Sequence, residues 1–121
     1  MPQTEAENHN LYPANSTEIA ERRRELAPAI EEAFLDFSRQ VFADGALDAK
    51  TKQLIAVAAA HVTQCPYCIR GHTRVALAKG ASEKELMEAI WVAAEMRAGA
   101  AYAHSALALD VASHAHHSHD D

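Results

Sequence analysis

The only two cysteines of the chain lie three residues apart, in the stretch Cys65-Pro66-Tyr67-Cys68-Ile69-Arg70-Gly71-His72, with a histidine four residues after the second. A proline with its fixed φ and missing donor favours the first position of a helix, so Cys65 falls at or near the N-cap and Cys68 in the first turn. Residues i and i+4 share a helix face. His72 therefore lies about 6 Å further along the axis, beside Cys68. A thiol near the positive end of a helix and next to an imidazole has a depressed pKa. The pattern points to a dithiol redox site. In this reading Cys68 is the attacking thiolate, and Cys65 resolves the resulting sulfenic acid as a disulfide. The reverse assignment stays open, because the N-cap position also favours a thiolate.

Other chemistries for the same residues are less well supplied. A closed zinc site needs four ligands, and a second CxxC is missing. Cys65, Cys68, His72 and His61 would have to serve together. Two cysteines acting as small core hydrophobes is a further alternative. Tyr67 is read as a packing residue of the turn.

The elements that must hold these residues read as helices throughout. Residues 1–15 form a flexible arm, with Leu11 and Tyr12 placed to dock on the body. Ser16 or Thr17 caps a helix to about Leu26, which Pro28 breaks or restarts. Ile30, Ala33, Phe34, Phe37 and Val41 then recur at helical spacing as a core face, and Asp44-Gly45 ends that helix. Asp48 caps the next one, Ala49 to about Val62, whose run Leu54 to Ala60 is apolar nearly all round and predicts a buried helix. The CxxC helix runs to about Lys79, where Gly80 stops it. Ser82 and Glu85 form a capping box for the last long segment, with Gly99 as a point of kinking before Ala100 to Val111. The His-rich stretch 113–121 reads as a disordered tail that binds metals non-specifically. The expected fold is an all-α, compact bundle of about five to six helices over residues 16–112, with the CxxC at a helix N-terminus.

Bulk composition narrows the function. A chain of 121 residues makes one domain. Apolar residues reach 49%, but alanine dominates them and aromatics are only 6%, so the single-chain core is thin and burial between subunits is expected. The net charge of −6, without a basic patch interleaved with aromatics, argues against a nucleic-acid partner. Residues 1–10 are polar and lack the apolar region of a signal peptide, and the longest apolar run is too short to span a bilayer. A cytoplasmic protein without membrane contact is expected, where paired cysteines are catalytic or metal-binding more often than structural.

The run HVTQCPYCIRGHTRVALAKGAS, followed by EKELMEAIWVAAEMRAGAAYAHSALAL, resembles the AhpD-like alkylhydroperoxidase branch of the carboxymuconolactone decarboxylase superfamily over roughly residues 25–112. The match is strongest at CPYC-x3-H, at Gly80-Ala81-Ser82 and at Arg97-Ala98-Gly99. The resemblance implies an all-helical homotrimer or homohexamer that reduces hydroperoxides through its CxxC pair. Cys68 is then peroxidatic, and an external dithiol protein is the reductant, with no cofactor beyond the Cys65-Cys68 disulfide. His72 corresponds to the histidine of the family's proton relay. The relay glutamate, twelve residues before the first cysteine, corresponds to Gln53, which can hydrogen-bond but not accept a proton. His61 and Glu95 are the groups that could stand in, and His104 falls in a family-like segment. A non-enzymatic redox sensor or scaffold is the second reading. A decarboxylase of the name-giving type is a further alternative, and that branch lacks the CxxC.

Overall fold

Ser16, Pro28, Asp48, Pro66 and the Ser82–Glu85 pair each mark the start of a helix, and the computed structural model, which describes residues 11–118, places a helix behind every one. These are α1 (Thr17–Leu26), α2 (Pro28–Phe42), α3 (Ala49–Thr63), α4 (Pro66–Ala78) and α5 (Glu83–Ser118). No strand occurs among the described residues.

The caps follow from side-chain chemistry. Ser16 Oγ accepts from the Ile19 N–H at 3.3 Å, and Asp48 Oδ1 accepts from the Thr51 N–H at 2.8 Å. The Thr51 side chain first, and then this N–H bond, hold the Asp48 carboxyl below its ordinary range. Ser82 Oγ takes the Glu85 N–H at 3.1 Å, while Glu85 Oε1 takes the Ser82 N–H at 2.9 Å, a reciprocal capping box. Glu85 also meets Lys50 Nζ at 2.8 Å, tying the start of α5 to the start of α3. At the far end of α4, Gly80 takes φ +97°, a left-handed geometry that a Cβ disfavours. Its N–H returns to Leu77 O, and the Ala81 N–H returns to Ala76 O at 2.9 Å. This is a Schellman ending, and its hydrophobic pair, Ala76 and Ala81, is buried.

The centre of the molecule is the packing of α3 against α4 and against the first half of α5. Val57, Ala76, Ala81 and Leu86 form its core, with Leu54 and Ile90 against them. Ala60 and Ala93 are buried as well. α1 packs on α2, and α2 leans only lightly on α3.

Three expectations change. The α2 face bearing Ile30, Phe34 and Phe37 is no core in the single chain. Those residues are 70%, 63% and 64% exposed, because no other described element lies over them. The run Leu54 to Ala60 buries one side through Val57 and Ala60 but leaves Ile55 exposed. The last helix passes unbroken through Gly99 and onward to Ser118, into the stretch read as a disordered tail. Alanines favour that continuation, and His114 Nδ1–H donates to the Asp110 carbonyl at 2.8 Å one turn back. Residues 119–121 and residues 1–10 of the arm lie outside the described residues. Within the described part of the arm, Tyr12 packs edge-on against Tyr67, and the Pro13 carbonyl accepts from Tyr67 Oη at 2.7 Å, whereas Leu11 stays exposed.

Val57 is fully buried where α3 meets its neighbours. Val57→Ala is expected to lower unfolding stability by about 2 kcal/mol through lost burial and the cavity left behind, measured by urea titration.

Candidate dithiol site

The site is built where α3 ends and α4 begins. Gln64 takes the left-handed conformation at φ 58°, which folds the chain back so that the Cys65 N–H reaches Ala60 O at 3.1 Å. Cys65 is then the N-cap of α4, and Pro66 opens the helix. Cys65 Sγ accepts from the Cys68 N–H at 3.3 Å, in the place where a serine or aspartate oxygen usually sits. A neutral thiol is a weak acceptor and a thiolate a strong one. The cap geometry and the helix dipole therefore both favour charge on Cys65.

Both cysteines are free thiols and half-buried. The Cys65 thiol is held below the ordinary range, first by the hydrogen bond with the Cys68 side chain and then by the Cys68 N–H. The Cys68 thiol is pushed up, first by the same hydrogen bond, then by burial and by the neighbouring charge on Cys65. The reduced pair thus carries its first negative charge on Cys65, with the Cys68 thiol donating to it. The spacing argument put the depressed thiol on Cys68 beside His72. At the N-cap the Cys65 sulfur receives the Cys68 N–H.

His72 lies one turn beyond Cys68 on α4, half-buried. Its Nδ1–H donates to Gln53 Oε1 of α3 at 2.8 Å, and its ring lies against Phe42, the last residue of α2, with centroids 5.0 Å apart and planes tilted 35°. Gln53 is 5% exposed, the buried polar residue of α3. An amide oxygen opposite Nδ1 requires the proton there, which leaves Nε2 as the ring's acceptor. Gln53 therefore selects the tautomer and fixes the ring, without taking part in proton uptake.

The stand-in groups sit elsewhere. His61 Nδ1–H donates to the Val57 carbonyl of its own helix at 2.7 Å, and no described contact joins it to the cysteines or to His72. Glu95 is exposed on α5, with its carboxylate beside Gly99. His104 is exposed on the distal part of α5. Among the described residues no three of the His, Cys, Asp and Glu side chains converge to hold a metal ion, so the zinc arrangement of Cys65, Cys68, His72 and His61 lacks its ligand set.

Sequence reasoning missed two contributors. Phe42 reaches His72 only because α2 leans on α3, and periodicity gives no sign of that contact. Arg97 donates from Nη1 to the Val62 carbonyl at 3.1 Å, securing the C-terminal turn of α3 three residues before Cys65. Its signal is a basic residue on an alanine-rich helix.

The profile of the carboxymuconolactone decarboxylase family matches residues 28–111. A Paracoccus denitrificans protein called uncharacterized protein 4 in cox locus is 62% identical over 99 residues, spanning 82% of this chain and 88% of that one. A crystal structure of a carboxymuconolactone decarboxylase family protein from Legionella pneumophila, in its apo form, superposes with a TM-score of 0.61 at 39% identity, over 66% of this chain and 70% of that one. A Thermotoga maritima member of the same family, described with a suggested part in antioxidative response, superposes with a TM-score of 0.50 at 37% identity, over 51% of this chain and 64% of that one.

The charge order of the two sulfurs is open to direct measurement. Alkylation of the reduced protein across a pH series, read by peptide mass spectrometry, is expected to label Cys65 at lower pH than Cys68, since only the thiolate reacts. Labelling of Cys68 first contradicts the assignment.

Proposed function

The chain belongs to the carboxymuconolactone decarboxylase family, and from that premise we propose that it is a thiol-dependent peroxidase that reduces hydroperoxides through the Cys65-Cys68 pair. The observation that carries this reading is the sulfur N-cap. It places the Cys65 sulfur against the Cys68 backbone N–H at the positive end of α4, and Cys68 lies one turn before a histidine oriented by Gln53. The antioxidative role suggested for the Thermotoga maritima protein supports the same reading.

In the proposed cycle the proton of Cys68 passes to the Cys65 thiolate across their hydrogen bond, and the Cys68 thiolate attacks the peroxide O–O bond. Cys68 becomes a sulfenic acid, and the alkoxide leaves with a proton supplied by solvent or by His72. The Cys65 thiol condenses with the sulfenic acid, releasing water and forming the disulfide. An external dithiol protein then reduces the disulfide by two electrons. His72 handles the proton and Gln53 orients it.

A redox sensor is the second reading, and Gln53 favours it. An amide where a relay would use a carboxylate gives a slower proton transfer and a pair that turns over sluggishly. Sustained hydroperoxide consumption driven by a dithiol distinguishes the enzyme from the sensor.

The assembly belongs to the same proposal. Phe34 and Phe37 on α2, with Trp91, Met96 and Tyr102 on α5, are largely exposed. Apolar area of this extent marks interfaces between copies. Light scattering coupled to size exclusion is expected to give a trimer or a hexamer, and a monomer at micromolar concentration contradicts it.

For the chemistry, Cys68→Ser is expected to abolish peroxide consumption, whereas Cys65→Ser still forms one sulfenic acid that dimedone traps on Cys68. The mirror-image result transfers the attack to Cys65. Normal turnover by both variants overturns the dithiol reading.

A further inference from the structure

Behind the thiols, on the other side of α4, the segment 13–15 lies against the helix and leaves two hollows of about 280 Å³ each that share Ala14, Asn15 and Tyr67. One is completed by Pro13, Ile19 and Arg23, the other by Arg70, Gly71 and Arg74. Tyr67 stands between them, held by its hydroxyl bond to the Pro13 carbonyl. The groove therefore has three guanidinium groups and no carboxylate among its lining residues, in a chain whose net charge is −6. Arg23 is engaged by Asn15 Oδ1 at 2.8 Å. Arg70 and Arg74, one turn apart on α4, make no hydrogen bond or ion pair among the described residues.

Gly71 is a second, independent observation. Glycine within a helix destabilises it relative to alanine, and such a residue is usually explained by close packing. At Gly71 a Cβ would meet nothing within 4 Å, so nothing in the chain itself requires the missing side chain. The space it keeps open is the floor of the hollow between Arg70 and Arg74. A guanidinium pair with an open floor suits an oxyanion, which arginine binds through paired N–H donors. Pro13, Ala14, Ile19 and the Tyr67 ring offer an apolar wall alongside.

We propose that this groove binds a carboxylate carried on an apolar chain, with the acid head on Arg70 and Arg74 over Gly71 and the chain along Tyr67 toward Pro13 and Ile19. The groove lies on the opposite side of α4 from the thiols and neither cysteine lines it. The bound acid is therefore a ligand apart from the dithiol chemistry, and its binding does not rest on the peroxidase reading.

The test uses the full chain, with octanoate as probe and octan-1-ol as its uncharged counterpart. Calorimetry is expected to detect octanoate and not octan-1-ol, and backbone-amide NMR to show shifts concentrated at Tyr67, Arg70, Gly71 and Arg74. The double variant Arg70→Gln/Arg74→Gln is expected to weaken octanoate at least tenfold while retaining helical circular dichroism. Gly71→Leu fills the hollow with a better helix former. It is expected to raise the melting temperature by roughly 4 °C and to abolish binding, a combination that a merely structural glycine does not produce. Equal binding of octan-1-ol, shifts away from α4, or wild-type octanoate affinity in either variant overturns the proposal. None of these readouts needs peroxide turnover, so failure of the groove and failure of the peroxidase reading are separable.

Discussion

The hydrogen bond from His72 to the buried Gln53 amide holds the site to the core. It crosses from α4 to α3, the two helices whose packing forms the centre of the molecule. Because the amide is buried, losing its partner would leave an unsatisfied polar group, so the bond constrains the relative register of the two helices as well as the imidazole. Phe42 closes the other side of the ring and brings α2 into the same constraint. The choice of glutamine has a chemical consequence. An amide oxygen can only accept from Nδ1–H, whereas a carboxylate there would also stabilise the imidazolium. The ring is oriented firmly by its bond to the amide.

The second constraint is the turn that joins the helices. Gln64 accepts an unfavourable left-handed backbone so that α3 can end and α4 begin with only Cys65 between that residue and Pro66. The cap of α4 is then a sulfur, so the cap and the candidate dithiol share the same atom. An ordinary N-cap oxygen stabilises a helix. A sulfur in that place does so best as an anion, which couples the integrity of the first turn of α4 to the charge state of the dithiol. Arg97 holds the preceding turn of α3 from outside.

Around this centre the fold is economical in burial. Among the described residues six apolar ones are buried, four of them alanines, and many of the larger side chains of α2 and of the outer face of α5 are exposed. The thiol site occupies the tightly packed part of the chain, while the apolar faces lie on the helices less involved in it. The α3–α4 junction positions the candidate dithiol site, and the exposed apolar faces of α2 and α5 lie apart from it.

Sequence alone determined the elements and the residue types gathered at the candidate site. Caps and breakers act within a few residues, so Ser16, Pro28, Asp48, Pro66, Gly80 and the Ser82–Glu85 box located the helix boundaries. The CPYC-x3-H spacing likewise put Cys65, Cys68 and His72 on one helical face. Helical periodicity identified an apolar face on α2 but not what covers it, because burial depends on where other elements lie. The family resemblance paired Gln53 with His72, and the tertiary structure shows them meeting across nineteen positions of sequence. Only the tertiary structure decided that His61 bonds its own helix and that Phe42 and Arg97 brace the site. Spacing also left the order of the two thiols open, because which sulfur receives the donors is a matter of three-dimensional direction that spacing does not encode.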